Sequence, residues 1–194
     1  MRATGVRLYA EGGGNSESRK KLRKSFRAFL EKGEERIKRE SARLRIVFCG
    51  SKSSTYDDFK NGSSDHQQAF NVLLVDSDGP KELSQNCWQY LGWNAPGTDE
   101  SHCHLMVQEM EAWFLADIET LKTFYGGKLN EKAIRNPKVE EIASPKEVLK
   151  KACQDTYHEI DHAVSLLERV DVAKVRKAAP HCNRLFEALV KELD

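Results

Sequence analysis

The chain has 194 residues, with 31 Lys and Arg against 30 Asp and Glu, 39% hydrophobic and 31% charged residues, and a mean hydropathy of -0.64. No run approaches the roughly 18 consecutive apolar residues of a membrane helix, and the first 20 residues hold charges and glycines where a secretory signal has an apolar core, so membrane insertion and secretion are not expected. Five cysteines (Cys49, Cys87, Cys103, Cys153, Cys182), an odd number without CxxC spacing, fit the reduced thiols of a cytoplasmic protein better than a disulfide framework or a zinc knuckle.

Val6-Arg7-Leu8-Tyr9-Ala10 reads as a short strand, and Glu11-Gly12-Gly13-Gly14-Asn15-Ser16 as a flexible turn. Ser16 is placed as the N-cap of a helix in which Leu22, Phe26, Phe29, Leu30 and Ile37 recur at helical spacing. Arg19, Lys20, Arg23, Lys24 and Arg27 fill its other faces, and Gly33 is a break or kink. Residues 44–49 form a second strand, closed by a loop Gly50-Ser51-Lys52-Ser53-Ser54. Residues 55–70 look helical, with an interruption at Asn61-Gly62-Ser63-Ser64. Val72-Leu73-Leu74-Val75 is a third strand; its unbroken apolar run implies cover on both faces, as in parallel sheets, and it ends in Asp76-Ser77-Asp78-Gly79-Pro80. After a loop-rich segment with Trp88, Trp93 and Pro96, residues 104–107 are a fourth strand that runs into a helix from Glu109 to Asp117. Helices follow at 146–153, with Pro145 at the start, and at 160–169 and 183–193. Strands alternating with helices give an α/β fold with a mainly parallel sheet of about four strands. Residues 1–120 are read as the core, and 121–194 as a helical extension packed on it.

Charge is segregated along the chain. Residues 17–45 hold twelve Lys and Arg against five Glu, whereas residues 70–119 hold nine Asp and Glu against Lys81 alone. Acids that converge repel one another, and the remedies are raised pKa values, basic partners or a divalent cation. In an open parallel sheet, ligands gather at the carboxyl ends of strands. Glu11 stands at the end of strand one, and Asp76 and Asp78 at the end of strand three. Positions i and i+2 of an extended segment point the same way, so Asp76 and Asp78 can offer two carboxylates to one cation. Hard oxygen ligands suit Mg²⁺ or Mn²⁺. The competing reading is an ordinary turn in which the Asp side chains cap backbone amides.

The segments Tyr9-Ala10-Glu11-Gly12-Gly13-Gly14, Phe48-Cys49-Gly50-Ser51, Tyr56-Asp57-Asp58-Phe59, Val75-Asp76-Ser77-Asp78, His104-Leu105-Met106-Val107-Gln108 and Met110–Asp117, with Asn136-Pro137, Pro180-His181 and Arg184-Leu185-Phe186, resemble a bacterial domain-of-unknown-function family, number 4276, in the Toprim-like group. Toprim domains occur in topoisomerases, primases and overcoming-lysogenization-defect nucleases. The resemblance implies a Toprim-like Rossmannoid fold and a metal-dependent phosphodiesterase, most plainly a nuclease, in a bacterial defence or genome-maintenance setting. It further implies that Glu11 is a metal ligand or general acid/base, that Asp76 and Asp78 are metal ligands, and that nucleic acid and a separate ATPase subunit are partners. A homodimer is compatible with it. Glu111, just beyond strand four, is the candidate for a further catalytic carboxylate. The Gly12–Ser16 turn is longer than the usual Toprim linker, which argues against a role for Glu17, and no tyrosine can be assigned as a topoisomerase nucleophile.

Weaker candidates surround these. Ser51 and Lys52 are substrate-phosphate contacts if the Gly50–Ser54 loop binds phosphate, although the full P-loop spacing is lacking. Arg19, Lys20 and Arg23 offer a face to a phosphate backbone. His102-Cys103-His104 places two imidazoles on one side of a strand but lacks further zinc ligands at fixed spacing, and His104 is more modestly read as a hydrogen-bond partner near the acidic centre. Val72–Gly79 also resembles the first motif of haloacid-dehalogenase phosphatases, with Asp76 as nucleophile. A third alternative is a non-catalytic interaction module that partners an ATPase.

Overall fold

The computed structural model describes residues 3–134 and 138–194, so Asn136-Pro137 of the family-like segments lie outside the described residues. Four strands, β1 (Val6–Glu11), β2 (Leu44–Gly50), β3 (Phe70–Asp76) and β4 (Cys103–Met106), form one sheet in the order β2-β1-β3-β4, with every pairing parallel. The expected α/β architecture is therefore the observed one. Helices α1 (Ser16–Gly33), α2 (Glu35–Arg39), α3 (Lys52–Asp65) and α4 (Cys87–Leu91) connect the strands. After β4 come α5 (Glu111–Leu115), α6 (Ile118–Tyr125), α7 (Pro145–Ala152), α8 (Glu159–Arg169), α9 (Val172–Ala178) and α10 (Pro180–Leu193).

The alternation of strand side chains divides the core in two. Leu8, Ala10, Ile46, Phe48, Val72 and Leu74 share a cluster with Phe26 and Phe29 of α1, Trp113 of α5 and Phe186 of α10. Phe29 and Trp113 stack there, with ring centroids 5.4 Å apart and planes 9° apart. Tyr9, Leu73, Val75 and Leu105 meet Phe59 of α3 and Trp88 of α4 in the second cluster. Sheet faces covered on both sides explain the unbroken apolar run of β3. Leu166, Val175, Leu185 and Leu189 of the tail belong to the first cluster, so α8 to α10 and the sheet share one apolar interior.

Several boundaries differ from the sequence reading. Asn15, not Ser16, caps α1: its backbone is extended while its side chain accepts from the Ser18 N–H at 2.9 Å, and Ser16 is already helical. Helix α1 ends at Gly33, where a Cβ would stand 2.5 Å from Val172 and 2.6 Å from Phe186. The Gly50–Ser54 segment is a helix start and not an open loop, because Ser51 caps α3 by accepting from the Ser54 N–H. Helix α3 stops at Asp65, and Phe70 belongs to β3, since its N–H donates to Gly5 O at 2.9 Å and it sits in register with Val6. Strand β4 begins one residue earlier than expected, and α5 begins at Glu111 instead of Glu109. Helix α10 begins at Pro180 and not at residue 183, while α4 and α9 occupy segments that sequence periodicity left unassigned.

Gly62 does not interrupt α3; it is the point where the helix meets the sheet. A Cβ there would stand 1.8 Å from the Tyr9 hydroxyl. Gly62→Ala at an exposed helix site would gain up to about 1 kcal/mol from propensity. Here overpacking outweighs that gain, and urea denaturation of Gly62→Ala is expected to show a loss of about 1–3 kcal/mol.

Candidate functional site

Because all four strands are parallel, their carboxyl ends lie along one edge. The chain leaves β1 toward β2 on one side and leaves β3 toward β4 on the other, so the fork between β1 and β3 is the switch point of the sheet. In open α/β sheets such a fork leaves a crevice where ligands bind. Glu11 is the last residue of β1 and Asp76 the last of β3.

The structure brings these two acids, 65 residues apart, into contact. Glu11 Oε2 accepts from the Asp76 N–H at 3.0 Å, and Asp76 Oδ1 accepts from the Met110 N–H at 3.2 Å. Each carboxylate thus spends one oxygen on backbone; among the described residues, Glu11 Oε1 and Asp76 Oδ2 have no hydrogen-bond donor. Asp78 is placed differently from the sequence reading. The chain is not extended beyond Asp76: Asp78 has a φ of 55°, so the i, i+2 alternation ends, and its carboxylate forms an ion pair with Lys52. That pair offsets the unfavourable placement of Lys52 in the first turn of α3, at the positive end of the helix dipole. Asp78 remains close enough to act electrostatically on both Glu11 and Asp76.

Glu111, the first residue of α5, is buried, and its Oε1 accepts from the Tyr157 hydroxyl at 3.0 Å. Glu109 lies beside it, with Oε2 accepting from the Lys146 N–H at 3.0 Å and Oε1 4.0 Å from Lys146 Nζ. Lys146 and Tyr157 are not among the residues that the sequence points to. Nothing in their local pattern marks them: they enter from the tail, 37 and 46 residues beyond their partners.

Repulsion dominates the electrostatics. Burial, followed by the charges of Glu11, Glu111, Asp78 and Glu109, pushes the Asp76 carboxyl well above its ordinary 3.8. Burial also raises Glu11, against the Asp76 N–H bond and Lys52, which pull it down. Glu111 is raised by burial in the face of Lys146 and the Tyr157 hydrogen bond. Burial alone would lower the Lys146 amine, but Glu111, Glu159, Glu109 and Asp76 outweigh it and hold that amine above 10.5.

Among the described residues, no three His, Cys, Asp or Glu side chains form a ready-made metal cage. Mg²⁺ needs none, since it commonly binds through one or two carboxylates and completes its shell with water and substrate phosphate. The hard oxygen donors of Glu11 and Asp76, each with one oxygen unclaimed, fit that mode.

The weaker candidates fare differently. Ser51 is occupied as a helix cap, and Lys52 as the partner of Asp78. Arg19 Nε and Nη2 donate to Gly13 O and Gly14 O at 3.2 and 3.4 Å, so this side chain braces the glycine turn behind Glu11. Lys20 and Arg23 are exposed on α1. His104 is not a partner of the acids: its Nε2 lies 3.0 Å from Ser101 O, and burial lowers its pKa to about 4, which leaves a neutral ring. His102 Nδ1 lies 2.6 Å from Asn71 O, a second backbone contact in place of a zinc ligand pair.

The family model described as a domain of unknown function, DUF4276, matches residues 10–190. The chain belongs to the DUF4276 family. No curated protein and no solved structure matches it. The matched span includes Glu11, Asp76, Glu111, Lys146 and Tyr157, and thus the whole acidic crevice of this DUF4276 chain.

A carboxyl whose folded pKa lies above its unfolded value binds more protons in the folded state between those two pH values, so stability falls as pH rises through that window. In chelator-treated protein, thermal stability should therefore decline as pH rises from about 4 through the elevated Asp76 value. Asp76→Asn keeps the acceptor for Met110 and removes the charge. It is expected to raise Tm at neutral pH by roughly 2–4 °C, the shift that ~1 kcal/mol gives a protein of this size, and to flatten the pH profile measured by calorimetry.

Proposed function

We propose that this chain is a divalent-metal-dependent phosphodiesterase acting on nucleic acid, a nuclease. The observation that carries the reading is the joint placement of Glu11 and Asp76 at the β1/β3 fork, each with an oxygen free, among further carboxylates whose repulsion a cation relieves. Glu11 and Asp76 would hold Mg²⁺ or Mn²⁺, with Asp78 as a third carboxylate within electrostatic reach. A cation bound there would polarise a phosphodiester and lower the pKa of an attacking water.

The chain's own groups divide the remaining work. Lys52, from α3, and Lys146, from α7, both act electrostatically on Glu11; Lys52 is held by Asp78, and Lys146 serves to neutralise phosphate oxygens. Glu111, raised by burial and fixed by the Tyr157 hydroxyl, is suited to hold the proton that leaves the attacking water. The exposed Lys20 and Arg23 extend the basic surface of α1 toward a phosphate backbone. A phospho-aspartate mechanism at Asp76 is less favoured, because burial disfavours its ionised form and Asp78 is engaged with Lys52.

Resemblance to the Toprim group supports the nuclease reading, and extends it to bacterial defence or genome maintenance with a separate ATPase subunit. A cytoplasmic setting agrees with five free, buried cysteines. No helix among the described residues is long and apolar enough to cross a membrane.

Single-stranded DNA, duplex DNA and RNA, each incubated with the protein and Mg²⁺ or Mn²⁺, test the proposal. Cleavage should vanish with EDTA and fall by about 100-fold or more in Asp76→Asn and Glu11→Gln, and by about 10–100-fold in Lys146→Ala. Equal cleavage by Asp76→Asn, or none by the wild type with or without a partner ATPase, would favour the interaction-module reading instead.

A further inference from the structure

At the amino-terminal edge of the sheet, away from the acidic crevice, positive charge accumulates without being neutralised. Arg7 of β1 and Arg45 of β2 are register partners, so their side chains stand next to each other on the face that carries Tyr9 and Val47. Like charges directly opposite each other on adjacent strands are destabilising. Arg7 Nε donates to the Tyr9 hydroxyl at 3.1 Å, which leaves its two terminal nitrogens without a partner among the described residues. Arg45 is exposed and makes no hydrogen bond or ion pair among them. Arg43 joins both in one cavity of about 780 Å³, where it donates to Leu193 O and Ala3 O, each at 3.1 Å. Glu40 lies 3.6 Å from Arg43, and Asp65 is the one acid among the described residues of the cavity wall; neither forms an ion pair with Arg7 or Arg45.

The charge continues around the side of the sheet. Strand β2 is an edge strand, and Arg45 also lines a groove of about 610 Å³ with Arg23 and Arg27 of α1, a groove whose described lining holds no acid. Ala42 and Arg45 line both spaces, so the two adjoin. Arg27 is a brace: it donates to Ser41 O and Leu44 O at 2.9 and 2.7 Å and lies 3.7 Å from Glu31. Arg23 has no such partner among the described residues, nor have Lys20 and Lys24. Lys20 and Lys24, like Arg23 and Arg27, are like charges four residues apart, a spacing that costs helix stability. A strand pair and a helix thus each carry uncompensated positive charge to adjoining grooves.

We propose that this track around the β2 edge docks the phosphate backbone of a polynucleotide, with Arg7, Arg23 and Arg45 as its phosphate contacts. The proposal deepens the nuclease reading and rests on it. Repeated negative charge is what a succession of unpaired cations complements, and guanidinium forks match phosphate oxygens in geometry as well as charge. Arg7 and Glu11 stand four residues apart on β1, about 13 Å at 3.3 Å per residue, so a polynucleotide on the track needs to cross only that distance to reach the crevice.

Fluorescence anisotropy of a labelled oligonucleotide of about 20 nucleotides tests it, titrated with Asp76→Asn protein in EDTA so that neither cleavage nor a metal at the crevice contributes. Binding should be indifferent to base sequence and should weaken steeply with salt. Arg23→Ala and Arg45→Ala, both exposed, and Arg7→Gln should each weaken it about three- to tenfold and reduce the slope of log K against log salt by about one. Lys177→Ala, which removes an exposed cation of α9, should change neither. Absence of binding overturns the proposal, as does binding that Arg23→Ala and Arg45→Ala leave unaltered, which would assign these arginines to blunting an open sheet edge. Equal weakening by Lys177→Ala would show attraction without a site, and equal affinity for polyglutamate of the same length would show a surface for acidic protein; either overturns it. Mn²⁺ binding by Arg45→Ala in the absence of nucleic acid should match the wild type, so the track and the metal site fail separately.

Discussion

Like charges confined at one edge of a sheet repel, and the fold must hold them there. Here the holding is done by backbone. The Asp76 N–H binds Glu11, and the Met110 N–H binds Asp76, so strands β1 and β3 and the chain beyond β4 are laced together through the acids that would otherwise drive them apart. The apolar interior makes this possible. Leu8, Ala10, Val72 and Leu74 fix the register of β1 against β3, which puts the two strand ends side by side. Packing thereby holds an arrangement that its own electrostatics oppose, a common condition of functional sites.

The tail takes part in that arrangement. Helix α7 supplies Lys146, and the segment before α8 supplies Tyr157, so the acids derived from strands meet partners derived from helices. These contacts depend on the interior shared by α8, α9, α10 and the sheet.

What the sequence made legible was local. The short strand segments of β1 and β2, the apolar run of β3 and the helical spacing of Leu22, Phe26 and Phe29 are short-range patterns, and the elements they mark are present. Glu11 and Asp76 were legible as strand-end acids because a parallel sheet gathers its strand ends. Asp78 was not, because the turn after Asp76 adopts a left-handed backbone that no alternation rule describes. Gly62 looked like a helix break and is a contact with Tyr9; Phe70 looked helical and is claimed by pairing with β1. Lys146 and Tyr157 depend on contacts across 37 and 46 residues, beyond the reach of periodicity.

The central claim is that Glu11 and Asp76 share a divalent cation. Anomalous diffraction from crystals soaked in Mn²⁺ addresses it most directly. The account predicts a manganese peak in contact with both carboxylates at the β1/β3 fork, absent from Asp76→Asn crystals. Saturating Mn²⁺ with no peak at that fork, or an equal peak in the variant, would contradict it.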